Sequence, residues 1–98
     1  MKTPPTRRLV LDVLKPHEPP MTEFAAEVAS LKGVEGVNAT LVETDEEVQN
    51  IKLTVEGEDV DRGDVDSVVS RLGGSVHSVD QVVVGERLVE DTPTPQDR

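Results

Sequence analysis

The sequence predicts an α+β fold, a four-stranded antiparallel sheet carrying two helices on one face. Three observations lead there. Short β-branched runs and two segments of helical periodicity follow one another in the order β-α-β-β-α-β. Valine dominates the apolar residues, with eighteen Val and eight Leu against a single aromatic, Phe24, and β-branched richness favours strands. Ninety-eight residues make one domain, long enough to bury well over half of its unfolded surface.

Residues 1–5, with Pro4 and Pro5, read as a disordered leader, 6–91 as the single domain and 92–98 as a disordered tail. The first strand spans Arg7 to Leu14, where Leu9, Leu11 and Val13 alternate with Val10, Asp12 and Leu14. Pro16, Pro19 and Pro20 then forbid regular pairing. A helix follows over Pro20 to Lys32, because Met21, Phe24, Ala25, Val28 and Leu31 recur at helical spacing and Gly33 stands where a C-terminal cap belongs.

The second strand covers Val37 to Thr44, and the acidic turn Asp45-Glu46-Glu47 leads to a third over Val48 to Glu56. Asp61 is a good cap for a second helix, which shows Val65, Val68, Val69 and Leu72 at helical spacing and ends at Gly73-Gly74. The last strand starts at Ser75 and extends past Gly85 through Arg87-Leu88-Val89. Neither of its faces is cleanly apolar, which calls for a bulge between Ser78 and Gln81.

This element order is that of the ferredoxin-like βαββαβ sandwich. Right-handed crossovers give the strand order 4-1-3-2 and leave one sheet face open. Val10, Asp12 and Leu14 should line that face, beside Lys52 and Thr54 of the third strand and Asn38, Thr40 and Val42 of the second. Its apolar residues and the long unprotected edge strand both point to self-association.

Composition excludes several functions. Twenty Asp and Glu face ten Lys and Arg, for a net charge of −10, which repels nucleic-acid phosphates and anionic membranes. No Tyr or Trp offers a base-stacking platform. No Cys is present, so thiolate metal sites, disulfides and cysteine nucleophiles are out. No leader or membrane span is visible, and a cytoplasmic protein is expected. The acids are spread along the chain, as on a surface adapted to a salt-rich cytoplasm; capture of cations or of a basic partner is the competing reading.

Five residues are candidate metal ligands. Asp12, a lone carboxylate in an apolar strand, needs a partner. Lys52 across the strand boundary can supply an ion pair, and a hard cation held with neighbouring acids is the alternative. His17 and His77, the only imidazoles, fall at the end of one strand and the start of its antiparallel neighbour. With Glu18 or Asp80 they have the chemistry to hold a divalent transition metal. The acidic run from Glu56 to Asp64 is no calcium loop, because counting from Asp59 places Gly63 at position five and Ser70 at position twelve. There is no phosphate loop and no nucleophile elbow, so no enzyme is expected.

The segments Arg8-Leu9-Val10-Leu11-Asp12-Val13-Leu14-Lys15-Pro16-His17-Glu18-Pro19, Gly33-Val34-Glu35-Gly36-Val37-Asn38 and Leu72-Gly73-Gly74-Ser75-Val76-His77-Ser78-Val79-Asp80 resemble the small archaeal family known as domain of unknown function 211. The likeness covers nearly the whole chain, to the Thr94-Pro95-Gln96-Asp97 tail. It implies a ferredoxin-like subunit that assembles into homo-oligomers, as rings, with divalent cations such as calcium, and it implies no established activity. For an archaeal chain, this acidity and scarcity of lysine imply a halophile.

The sequence thus suggests a non-enzymatic, self-assembling domain in which Asp12, His17, Glu18, His77 and Asp80 hold cations at or near subunit contacts. The alternative is a small-molecule sensor that binds its ligand between paired subunits, near the Pro16–Pro20 loop and the Gly73-Gly74 turn.

Overall fold

A computed structural model of the chain describes residues 3–91. The elements run β1 (Thr6–Pro16), α1 (Met21–Ala29), β2 (Val34–Thr44), β3 (Val48–Gly57), α2 (Arg62–Arg71) and β4 (Ser75–Val84). The four strands form one antiparallel sheet in the order β2-β3-β1-β4, the ferredoxin-like arrangement expected. Met1, Lys2 and the expected disordered tail lie outside the described residues; Pro5 of the leader accepts a hydrogen bond from the Gly85 amide at 2.8 Å.

Leu9, Leu11 and Val13 of β1 pack with Ile51, Leu53 and Val55 of β3 under Phe24, Val28, Val60, Val65, Val68 and Val69. Period-two alternation turns one face of each central strand inward, and the helices cover only that face. Pro20 precedes α1 in extended conformation, where a missing N–H costs nothing. Asp61 caps α2 by accepting from the Asp64 amide at 3.0 Å, which satisfies one of the free amides of the first turn.

Several boundaries differ from the sequence reading. β1 runs on to Pro16 because Lys15 and Pro16 still pair with Gln49 and Val48, and a proline closing a strand needs no donor there. Helix α1 stops at Ala29, since the Ser30 amide and hydroxyl both bond back to the Ala26 carbonyl and close the last turn. β2 begins three residues earlier than expected, with Val34 opposite Gly57.

The larger correction is at the end of the sheet. β4 stops at Val84 and does not continue through Val89. Gly85 takes a positive φ of 120°, a conformation open to glycine, and residues 86–91 form a strap without regular structure. Two adjacent arginines of β1 hold this strap. Arg7 donates to the carbonyls of Gly57, Gly85 and Glu86. Arg8 grips Glu90 with both terminal nitrogens, at 3.0 and 2.8 Å.

The puzzle of β4 resolves into two bulges. Val10 pairs with Gln81 and Leu11 with Val79, which leaves Asp80 as an extra residue inside the expected window. Asp12 pairs with Ser78 and Val13 with Val76, which leaves His77 as a second one. Residues opposite the inward side of β1 are therefore Val76, Val79 and Val82, spaced by three where a regular strand has two.

Candidate functional site

The helix-free face of the sheet gathers most of the chemistry-bearing side chains, and Asp12 lies at its middle. It stands on a central strand, opposite Lys52 of β3 and Ser78 of β4. The expected ion pair with Lys52 is not made. Among the described residues the ion pairs within 4.0 Å are Arg8–Glu56, Arg8–Glu90, Arg62–Asp66 and Arg71–Glu27. Lys52 is exposed, and an exposed ammonium gains little by surrendering side-chain freedom to a single carboxylate.

Asp12 instead shares a shallow hollow of about 180 Å³ with Asn50, Asp80, Val42, Ile51 and Lys52. The bulge at Asp80 brings that carboxylate to the hollow, where Ser78 Oγ donates to Asp80 Oδ1 at 2.7 Å. Asn50 Oδ1 is buried and has no hydrogen-bond partner. Two carboxylates and an unpartnered amide oxygen are hard donors, suited to calcium or magnesium rather than to a soft metal.

The other candidate ligands do not join them. The ring Nε2 of His17 donates to the Asp45 carbonyl at 2.6 Å, which ties His17 to the β2–β3 hairpin and away from β4. That hairpin is held by Asp45 itself, whose Oδ1 accepts from the amides of Glu47 and Val48 at 2.8 Å each. These bonds keep the Asp45 carboxyl below its ordinary range, aided by His17. His77 is exposed at its bulge and Glu18 is exposed in the loop after β1. No three His, Asp or Glu side chains form a metal-sized cluster among the described residues. Within one chain the five-residue set is therefore reduced to Asp12 and Asp80.

Two wider hollows, of about 560 and 530 Å³, adjoin on the same face and share Lys52, Thr54 and Glu56. The Gly73-Gly74 turn, near which the alternative reading puts a sensed ligand, lies against the end of β1. A side-chain carbon on Gly73 would lie 3.2 Å from the Pro16 ring, and one on Gly74 would lie 2.9 Å from the Leu14 carbonyl oxygen.

Sequence reasoning missed Lys15, Asn50 and the Arg8–Glu90 pair. Lys15 continues the inward alternation of Leu9, Leu11 and Val13, and it is wholly buried. Its ammonium donates to the Pro16 carbonyl at 2.7 Å and the His17 carbonyl at 3.5 Å, with the Phe24 ring centroid 6.0 Å away. Burial pushes its pKa below the ordinary 10.5, while the charge of Glu18 acts in the opposite sense. Extending the alternation by one step would have found it.

This lysine has a measurable consequence. Between its lowered pKa and 10.5 the folded chain sheds a proton that the unfolded chain keeps, so stability rises with pH across that window. With no Tyr or Cys to titrate nearby in pH, the rise should show in urea midpoints measured as the pH is raised towards 10.5. Lys15→Met should flatten the profile, and a variant that keeps the rise would remove Lys15 as its source.

No helix among the described residues is long and apolar enough to cross a membrane. An uncharacterized protein of Methanocaldococcus jannaschii, MJ0319, is 47% identical over 92 residues, covering 94% of this chain and 95% of that protein. The comparisons do not bear out the expectation of a halophilic chain. The model of the DUF211 family, described as "Uncharacterized ArCR", matches residues 7–98, and with that span of agreement the chain belongs to this archaeal family of unknown function.

Proposed function

We propose that the chain is a non-enzymatic subunit that assembles with copies of itself, head to tail, into a closed ring. One observation carries this reading: large apolar side chains are left in water at opposite borders of the sheet. On β2, Leu41 is 45% and Val42 63% exposed; on β4, Val82 is 52% and Val84 49% exposed. A small soluble domain has reason to cover such patches. Two different patches on opposite borders suit a heterologous contact, which closes into a ring where the rotation allows. Both borders carry register shifts, so the contact runs through side chains more than through added backbone pairing.

The hollow of Asp12, Asn50 and Asp80 is the place for a hard divalent cation in this reading. One subunit offers two carboxylates and one amide oxygen, fewer ligands than calcium takes. Water or a stacked subunit would complete the shell, and the ion would offset repulsion between chains of net charge −10.

Light scattering of the purified protein, with and without a chelator, tests both parts. A mass of several subunits that falls on chelation, and that Asp12→Asn reduces in the same way, is the expected result. A monomer under all conditions would remove the assembly reading; an assembly indifferent to chelator and to Asp12→Asn would remove the cation alone.

A further inference from the structure

The strap poses a problem of its own. Chain of no regular structure loses conformational freedom when it is ordered, and here two arginines and one backbone bond hold it at both ends. Gly85 and Glu86 are fixed by Arg7 and Pro5, and Glu90 by Arg8. The Arg8 fork is itself set by Glu56 and Gln81, both on the sheet, and its hydrogen bonds and charge hold the Glu90 carboxyl below its ordinary range. Between these pins lie Arg87, Leu88 and Val89. Leu88 is 37% exposed and Val89 59% exposed, and Arg87 makes no ion pair within 4.0 Å among the described residues. The ordering therefore leaves most of Val89 and about a third of Leu88 in water, together with a cation that has no ion pair among the described residues.

At the far border of the sheet the complementary set stands in sequence. Leu41 and Val42 are exposed on β2, followed by Glu43 and the acidic turn Asp45-Glu46-Glu47. We infer that the pinned strap is the donor half of the contact between copies: Leu88 and Val89 of one chain cover Leu41 and Val42 of the next, and Arg87 meets Glu43. The inference rests on the assembly reading above and names its two surfaces. Arg87 is the one cation of a strap that also carries the exposed acids Glu86 and Asp91, so only its pairing with Glu43 is attractive, and this sets the register and disfavours the reverse pairing. Because the partner surface is a different border, each open assembly keeps one free strap and one free border until the ring closes.

Two spoiled chains separate this inference from the reading it rests on. L88S/V89S lacks a working strap, and L41S/V42S lacks a working border; all four positions are exposed, and thermal melts should show both chains folded. Measured by size-exclusion chromatography with light scattering, each alone is expected to run as a monomer. Their equimolar mixture is expected to stop at a one-to-one dimer, since one good strap meets one good border and no further contact remains. Arg87→Glu should weaken wild-type assembly by about tenfold, and the loss should shrink as salt is raised. If either spoiled chain assembles like the wild type, or if the mixture stays monomeric while the wild type assembles, the strap contact is overturned and assembly lies elsewhere. If the wild type is itself a monomer, both readings fall together.

Discussion

Replacing Phe24 by alanine is expected to remove roughly 3–5 kcal/mol of stability, the range for emptying a buried aromatic site. Phe24 is the only aromatic residue of the chain and is fully buried. Its neighbours in the cluster are mostly valines and leucines, too short and too stiff at the branch to swing into the space left behind. The ring also lies beside the Lys15 ammonium, so the truncation leaves a buried cation facing a void. Against a total of about 5–15 kcal/mol for a domain of this kind, that loss brings the chain close to unfolding at room temperature. Urea denaturation followed by far-ultraviolet circular dichroism measures it. A loss below about 1 kcal/mol would show that the core repacks, contrary to the close packing described.

A single methyl at Gly57 should also be damaging, for the opposite reason. β3 ends there against the start of β2, and an added side-chain carbon would fall inside contact distance of the Gly33 carbonyl oxygen and 2.9 Å from Val34 Cα. These are backbone atoms, unable to rotate away. Gly57→Ala should therefore cost about 1–3 kcal/mol or more by overpacking and should loosen the first pairs of β2, Val34–Gly57 and Gly36–Glu56. Gly36→Ala is the control, because nothing lies within 4 Å of the carbon it would add. Hydrogen exchange along β2 from Gly36 onward separates the two variants. Equal protection in both would mean that the strand ends are not held by this approach.

The architecture was legible in the sequence because alternation on β1 and β3 is strict. Leu9, Leu11, Val13 and Ile51, Leu53, Val55 announce the inward face without ambiguity, and Asp61 announces the second helix. The strap was misread because Arg87-Leu88-Val89 has strand-like composition, and nothing local shows that Gly85 will reverse the chain or that Arg8 will take Glu90 from 82 residues away. Long-range ion pairs leave no periodic trace. Asp12 was correctly placed beside Lys52, but register alone does not make a half-buried carboxylate and an exposed ammonium meet. Asp80 came to the same hollow through a bulge whose position the alternation could bracket but not fix. Lys15 escaped notice for a different reason. A charged residue after an apolar run looks like its end, whereas here the loop carbonyls of Pro16 and His17 make burial tolerable.

The paired bulges of β4 also bear on how this strand tolerates changes of length. Without His77 and Asp80 the remaining residues, Val76-Ser78-Val79-Gln81-Val82-Val83, would keep the ordinary two-residue rhythm up to Val82. Each extra residue is the one with no partner on β1, so the pairs on either side of it are already in phase. Deleting His77 or Asp80 alone would close its bulge and leave every valine on its present side. Deleting a paired residue such as Val79 would instead shift the strand beyond it by one place, sending valines to the water and polar groups to the core. Changes of length in this strand are therefore expected to be absorbed at the two bulges and refused between them, which makes His77 and Asp80 the slack of the sheet.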